Sequence, residues 1–439
     1  MAGIFKAYDI RGIYGDTLTE DTAYRIGRAF ATFLKCRKVV VGRDMRPHSP
    51  PLFQALARGL TEQGADVVDI GMCSTPMSYF ANNQLGADAS IMITASHNPG
   101  EWNGFKVCRE KAIPISGETG IRDIEHICRS GQFAPAAARP GAISTHEILD
   151  EYVAYIRGFA EIRRPLKVVV DYANGMGILE GQVLDGLMEI EPLFNTLDGT
   201  FPNHEANPLK LDTLEALQAK LRSGRYDFGI AFDGDADRVG FVDEQGGIIA
   251  MDIITALIAE TILQHEKGPI FYDLRSSWAV KEVIEESGGT PMMSRVGHAF
   301  IKAQMREAKA LFAGELSGHY YFRENGYTES AALAALCIAN LVSQSDRPLS
   351  QLVKPIRRYF ASGEINSEVH DVKGVIGRLR AKYAAGRMIE LDGLSVEFDD
   401  WWFNVRASNT EPLVRLNLEA KTAARMAQRR DEVLAVIRA

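Results

Sequence analysis

Three aspartates at alternate positions, Asp233, Asp235 and Asp237, follow directly on an apolar run that reads as a strand from Asp227 to Phe232. A buried strand opening into such a loop demands a sheet covered on both faces, with a cation at the strand's end, because like charges this close repel strongly. Hard oxygen ligands with room for water or phosphate suit Mg²⁺. The loop Asp233-Gly234-Asp235-Ala236-Asp237-Arg238 is not a calcium loop of the EF-hand type, since no helix precedes it. A solvated acidic turn is the plainer alternative, and the apolar strand before it speaks against that.

The strand belongs to a wider pattern. Strand-like runs at 38–41, 66–70 and 89–93 alternate with helical spacing at 51–63 and 77–85. The alternation restarts with strands at 166–170 and 227–232 around a helix at 212–222. It restarts again with helices at 252–265 and 279–287 and strands at 270–272 and 311–313. Such spacing predicts βαβ units with mostly parallel, buried sheets. From about Phe360 the pattern changes to strand-like 364–369, amphipathic 375–384 and strand-like 394–398. The fold class expected is α/β, with three similar units and a smaller C-terminal α+β unit around a central cleft. The expected boundaries are 1–143, 144–247, 248–358 and 359–439, and the Ala/Pro/Gly-rich stretch 131–141 marks the first.

A chain of 439 residues is too long for one core, and 46% apolar with 24% charged residues is enough to fill several. The net charge of −8 argues against a nucleic-acid partner and leaves room for local basic pockets. No apolar run approaches the roughly eighteen residues of a membrane span. The opening MAGIFKAYDIRG has no charged stretch leading into an apolar one, so no leader is expected. Five scattered cysteines without CxxC spacing fit reduced thiols. A cytoplasmic protein, monomeric or weakly self-associating, is the expectation.

In open α/β sheets, ligands bind beyond the carboxyl ends of the strands. Besides the acidic loop, two polar loops occupy that place. Thr94-Ala95-Ser96-His97-Asn98-Pro99 exposes the Ser96 hydroxyl on a tight turn; a serine there can relay a phosphoryl group, or simply cap an Asx-type turn. Lys106 downstream offers an ammonium for phosphate oxygens or for proton transfer. Gly314-Glu315-Leu316-Ser317-Gly318-His319 places a carboxylate and a hydroxyl two residues apart, suited to vicinal sugar hydroxyls, a weak signal alone. In the last unit, Arg406-Ala407-Ser408-Asn409-Thr410-Glu411-Pro412, with Arg415 soon after, packs guanidiniums, hydroxyls, an amide and backbone N–H groups into a phosphate nest. No Walker or dinucleotide fingerprint competes for that role.

Together these loops resemble the α-D-phosphohexomutase superfamily, most closely its phosphomannomutase/phosphoglucomutase branch. The likeness runs from Tyr8-Asp9-Ile10-Arg11-Gly12 to Glu419 and includes Gly42-Arg43-Asp44, Asp171-Tyr172-Ala173-Asn174-Gly175 and Pro202-Asn203-His204. It implies four domains around a cleft, Ser96 as a phosphoserine, and Mg²⁺ held by Asp233, Asp235 and Asp237 together with Ser96. Arg11, Lys106, Arg238 and His298 would line the reacting centre. Glu315, Ser317 and His319 would bind the sugar, and Arg406, Ser408, Asn409, Thr410 and Arg415 its distal phosphate. The implied reaction interconverts hexose 6-phosphate and hexose 1-phosphate through a hexose 1,6-bisphosphate. A phosphoglucosamine mutase and a non-catalytic phosphosugar-binding protein are the alternatives. Glu315-Leu316-Ser317-Gly318-His319 speaks against the first, and the intact Ser96 and acidic loop against the second. The chain departs from the family at Glu324-Asn325-Gly326-Tyr327-Thr328-Glu329-Ser330, where relatives usually carry Asp-Gly; Thr328 is expected to cap the next helix there.

Overall fold

The β-branched runs assemble into four sheets. The computed structural model describes residues 3–407 and 413–439. In the first unit, β1 (Ile10–Ile13), β2 (Lys38–Arg43), β3 (Asp66–Met72), β4 (Ala89–Ile93), β5 (Trp102–Arg109) and β6 (Ile143–Thr145) lie in the order β1-β5-β4-β2-β3-β6. In the second, β7 (Lys167–Asp171), β8 (Glu189–Leu193), β9 (Phe228–Phe232), β10 (Val239–Asp243) and β11 (Ile248–Ile249) lie in the order β11-β10-β9-β7-β8. The third repeats this plan as β13-β12-β14-β15-β16, from β12 (Pro269–Asp273), β13 (Thr290–Ser294), β14 (Phe312–Gly314), β15 (Tyr320–Phe322) and β16 (Thr328–Glu329).

These sheets are mixed rather than simply parallel. β2 is parallel to β3 and β4, β7 to β8 and β9, and β12 to β13 and β14. The last parallel strand of each set then turns straight back into an antiparallel neighbour, β4 into β5, β9 into β10 and β14 into β15. The reason lies in the connections. A parallel crossover needs a dozen or more residues, and the polar loops after Ile93, Phe232 and Gly314 are too short for one. The three chemistry-bearing loops are therefore the same hairpin in three units, each at the carboxyl end of a central strand.

The fourth unit is antiparallel throughout. β17 (Phe360–Ala361), β18 (Ile365–Glu368), β19 (Arg387–Ile389), β20 (Leu394–Glu397), β21 (Trp401–Ala407) and β22 (Leu413–Ala420) form the sheet β17-β22-β21-β20-β19, and β18 also pairs with β22. Helices Val372–Lys382 and Ala423–Ile437 pack on it around Leu379, Val396, Phe403 and Val433. One continuous apolar core, with Val40, Met92, Val170, Phe232, Ile254 and Phe312 among its members, runs through the first three units. The fourth keeps a core of its own.

Two local readings shift. The helix expected from Met77 begins at Thr75, because Ser74 accepts the Met77 N–H at 3.2 Å and closes the first turn (Thr75–Gln84). Thr328 does not cap a helix. It pairs in β16 opposite Phe322 and donates its hydroxyl to the Asn325 carbonyl at 2.8 Å. Ser330 is the cap, accepting the Leu333 N–H at 3.2 Å, and the helix is Ala331–Gln344. The extra strand residues displace the cap by two positions.

Candidate active site

Ser96 stands on the β4–β5 hairpin with a left-handed backbone, φ +53°, a conformation uncommon for a residue with a side chain. The loop is held from below by Arg46. Its buried guanidinium donates to the carbonyls of Ser96 (2.9 Å), Asn98 (2.6 Å), Pro99 (2.6 Å) and Trp102 (2.9 Å) while pairing with Asp44 at 3.1 Å. Arg11 holds the loop's other side, donating to Asn98 Oδ1 at 2.5 Å and to the Ala95 carbonyl at 3.2 Å.

The β9–β10 hairpin comes within contact of this loop because Gly234 has no side chain. A Cβ at Gly234 would lie 2.4 Å from the Ser96 carbonyl oxygen, too close for any heavy atoms. The approach sets Ser96 Oγ as donor to Asp233 Oδ2 at 2.9 Å. His97 Nδ1 lies 3.1 Å from the same hydroxyl. Lys106, on β5, donates to Asp235 Oδ2 at 2.6 Å and also to Asp237 Oδ2. Thr75, at the start of its helix, donates to Asp235 Oδ2 at 2.6 Å.

All three aspartates are buried, and each offers an oxygen within 4.8 Å of the others. Asp235 Oδ1 is buried with no hydrogen-bond partner among the described residues. Burial and the neighbouring Asp235 and Asp237 push Asp233 well above the usual carboxylate range. Burial also acts to raise Asp237, but Lys106, His319 and Arg238 outweigh it and hold that carboxylate well below. Even with Lys106, Arg238 and His319 beside them, three carboxylates this close repel one another. The donor set is able to hold a divalent cation, which would remove the repulsion.

The β14–β15 hairpin closes another side. Glu315 accepts from the Tyr321 hydroxyl at 2.6 Å and from the Gly297 N–H at 3.1 Å. His319 bridges the loops, with Nδ1 3.1 Å from Glu315 Oε2 and 2.9 Å from Ser317 Oγ, and Nε2 3.3 Å from Asp237 Oδ1. Burial disfavours its charge, yet Asp237 and Glu315 raise its pKa to about 9 against the opposing pull of Arg238, whose Nε donates to His319 Nε2 at 3.2 Å. Arg238 Nε sits 3.9 Å from both Asp233 and Asp237. His298 opens the helix His298–Ala308 with its ring centre 6.5 Å from that of His319. Burial, Lys302 and Lys106 hold it far below its ordinary pKa, so it is neutral, and its Nδ1 has no hydrogen-bond partner among the described residues.

Each of the four families that describe this architecture matches one stretch of the chain. They are phosphoglucomutase/phosphomannomutase alpha/beta/alpha domain I over residues 2–135, domain II over 150–247, domain III over 250–359, and the C-terminal domain over 364–436. The chain belongs to the phosphoglucomutase/phosphomannomutase family. It is thus an isomerase of the phosphohexomutase kind. A phosphomannomutase of Escherichia coli is 42% identical over 456 residues, covering 99% of each chain. A protein of Xanthomonas campestris described as phosphohexose mutases is 40% identical, with 98% of this chain and 97% of that one covered. Among solved structures, a phosphoglucomutase/phosphomannomutase family protein from Burkholderia thailandensis superposes with a TM-score of 0.92 at 36% identity, covering 99% of this chain and 96% of that one.

Of the residues singled out from sequence, Ser96, Lys106, Asp233, Asp235, Asp237, Arg238, Glu315, Ser317 and His319 form one contact network. Arg11 joins it through Asn98, and His298 by its ring contact with His319. Arg406 and Arg415 form a second cluster around Glu364, at 2.9 and 3.3 Å. Ser408, Asn409 and Thr410 lie outside the described residues. The sequence reading missed what joins the two clusters. Asp273 Oδ2 accepts from the Leu316 N–H at 2.8 Å and from Arg275 at 2.7 Å, and Arg275 reaches Glu364 at 3.7 Å. Arg46, Thr75, Arg275 and Glu364 all stand next to strand ends or helix starts, the signal that could have found them.

Among the described residues no helix is long and apolar enough to cross a membrane.

Proposed function

We propose that the protein is a phosphomannomutase/phosphoglucomutase that relays a phosphoryl group through Ser96. Units 1–143, 144–247, 248–358 and 359–439 would carry the phosphoserine, the metal, the sugar and the distal phosphate. The observation that carries this reading is the Ser96 hydroxyl, 2.9 Å from Asp233 inside a buried carboxylate trio. A structural serine would need neither the strained backbone nor that company.

Asp233, Asp235 and Asp237, with an oxygen on Ser96, would hold Mg²⁺. When bound, that ion supplies charge neutralisation for phosphoryl oxygens, where most of the catalysis of this transfer lies. The residues of the chain do the rest. Phospho-Ser96 gives its phosphoryl group to the free hydroxyl of a bound hexose phosphate; the Oγ–P bond breaks as the sugar O–P bond forms, giving a 1,6-bisphosphate. The hydroxyl's proton leaves as the serine oxygen gains one, and neutral His97, 3.1 Å from Oγ, is placed to exchange it. Burial, Arg238 and Arg11 depress His97 and keep it neutral. Lys106 donates to Asp235 and Asp237, which raise its pKa against the pull of burial, and its ammonium would steady oxygens of the transferring group. The bisphosphate then turns end for end and returns its other phosphate to Ser96. Glu315, Ser317 and His319 would grip hydroxyls that keep their places through that turn, such as O3 and O4. Mannose and glucose differ at C2, so both are substrates on this reading.

The protein would act on free phosphosugars in the cytoplasm, as a monomer or weak homo-oligomer and without nucleic acid or membrane. The test is a coupled assay on mannose 1-phosphate, glucose 1-phosphate and glucosamine 1-phosphate, with Mg²⁺ and a trace of glucose 1,6-bisphosphate. Turnover of the first two is expected. Turnover of the third alone would favour a phosphoglucosamine mutase, and turnover of none a binding protein.

A further inference from the structure

Arg406 and Arg415 stand directly opposite each other on β21 and β22. Like charges so paired destabilise a sheet unless something compensates. Arg275, from the end of β12, brings a third guanidinium to the same place. The compensation is Glu364, just before β18. Its Oε2 lies 2.9 Å from Arg406, 3.7 Å from Arg275 and 3.4 Å from Asn417 Nδ2, and its Oε1 lies 3.3 Å from Arg415. Among the described residues, Glu364 is the sole ion-pair partner of both Arg406 and Arg415. Its side chain is 26% exposed, so solvent and ligand can reach it.

Three guanidiniums facing Glu364 and the Asp273 carboxylate that pairs with Arg275 keep a net charge of about +1 and attract a further anion. The donors that would bind a phosphate are the ones Glu364 already engages, so phosphate and carboxylate compete for them. We propose that Glu364 is a resident counter-ion, displaced by the sugar's phosphate on binding and returning to the arginines when that phosphate leaves. The idea rests on the mutase reading of the site and explains something that reading requires. The bisphosphate has to let go of this nest in every turnover in order to turn round. Without Glu364, Arg406 and Arg415 would hold it unopposed, whereas a tethered carboxylate lowers the apparent affinity and takes over the donors as the phosphate departs. Glu364 is thus a positioning residue that acts through Arg406 and Arg415.

The test uses orthophosphate as the probe, titrated calorimetrically into the full-length wild-type protein and into Glu364→Gln, Glu364→Asp and Arg406→Ala, with thermal melts to establish folding. Glu364→Gln should bind orthophosphate about tenfold more tightly, since the competent state no longer has to be freed of a competitor. In the mutase assay the same variant should show a lower KM and a kcat reduced several-fold, a split that loss of structure would not give. Glu364→Asp, with a shorter reach to the guanidiniums, should fall between wild type and Gln, and serves as the reading if Gln does not fold. Arg406→Ala should weaken orthophosphate binding. Unchanged or weaker binding by the Glu364 variants while Arg406→Ala still loses phosphate would overturn the resident-anion idea and leave the phosphate site standing. Unchanged binding by Arg406→Ala would overturn both.

Discussion

Ser96 Oγ lies 2.9 Å from Asp233 Oδ2, although the two residues are 137 positions apart and belong to different sheets. The contact joins two equivalent hairpins, so the proposed phosphoserine and the acidic loop meet without either leaving the end of its own strand. It depends on Gly234, where any Cβ would strike the Ser96 carbonyl.

The relay requires phosphate on Ser96. Peptide mapping of active protein by mass spectrometry should place a phosphoryl group there, and Ser96→Ala should fall to the background rate while keeping its fold. Undiminished turnover by Ser96→Ala would remove the serine from the mechanism.

Replacing Asp233 separates metal binding from stability. Its carboxylate is the one that burial and like charges destabilise, and an asparagine can still accept from the Ser96 hydroxyl. Asp233→Asn should therefore keep or raise Tm. The Mg²⁺ needed for half-maximal rate should rise at least about tenfold, since even an outer partner of a metal ligand is worth that much. An unshifted Mg²⁺ titration would show that the ion is held elsewhere.

Much of this site was legible because its signals are local. Ser96-His97-Asn98-Pro99 and the alternating aspartates each declare their chemistry within six residues, directly after an apolar strand. What holds them in place was not legible. Arg46 acts on carbonyls 50 to 56 positions away, and Thr75 on an aspartate 160 positions away. Glu364 matters only because β18 lies beside β22. Such pairings are set by sheet order, which a strand-by-strand reading does not contain. The antiparallel returns were missed for a related reason, since a buried strand reads the same in either direction. The helix cap at Ser330 rather than Thr328 turned on a two-residue strand, β16, too short to show a period.

A buried carboxylate makes the seam between units pH-sensitive. Glu180 accepts from Tyr152 at 2.9 Å and from Ser74, which caps the helix carrying Thr75, while Tyr152 also contacts Ser330 of the third unit at 3.3 Å. Burial outweighs these hydrogen bonds and raises Glu180 from 4.5 to about 7. The folded state thus holds this proton to a higher pH than the unfolded chain. Its contribution is greatest below pH 4.5 and is lost as pH rises towards 7, by at most roughly 3 kcal/mol at about 1.4 kcal/mol for each pH unit. Glu180→Gln keeps a neutral polar group in place. Urea unfolding between pH 5 and 8 should show a flatter profile and greater stability at pH 8 for this variant; parallel curves for the two proteins would contradict the assignment.

The distal arginine should influence chemistry as well as binding. On the proposed mechanism either phosphate of the bisphosphate would occupy the Arg406 site, and its binding energy would position the reacting hydroxyl in both orientations. Arg406→Ala should reduce kcat/KM by about 2–4 kcal/mol, the scale of a lost charge-assisted contact. Arg406→Lys should recover part of this, because an ammonium lacks the two-pronged fork. A neutral Arg406→Ala would place the phosphate elsewhere.

Arg46 offers the sharpest test of how the proposed phosphoserine is held. It touches no reacting atom on the present geometry. Its guanidinium is buried between the two hairpin-bearing units, lies over the Phe201 ring at 5.0 Å, and donates to four carbonyls that define the serine turn, Ser96 itself included. The left-handed backbone at Ser96 persists only if its surroundings enforce it, and these bonds are the enforcement. Lysine at this position would keep the charge and the pair with Asp44, but three donors on a single nitrogen cannot serve four carbonyls spread across a loop. Arg46→Lys should lower stability by about 1–3 kcal/mol for the carbonyls left without partners. If the turn is what aims Oγ, kcat should fall more than stability alone explains, with KM for the hexose phosphate nearly unchanged because the sugar and distal-phosphate contacts are intact. The fraction of Ser96 carrying phosphate should fall with it, measurable by intact mass after incubation with glucose 1,6-bisphosphate. A variant that loses stability yet phosphorylates Ser96 and turns over at the wild-type rate would show that the loop keeps its shape without Arg46.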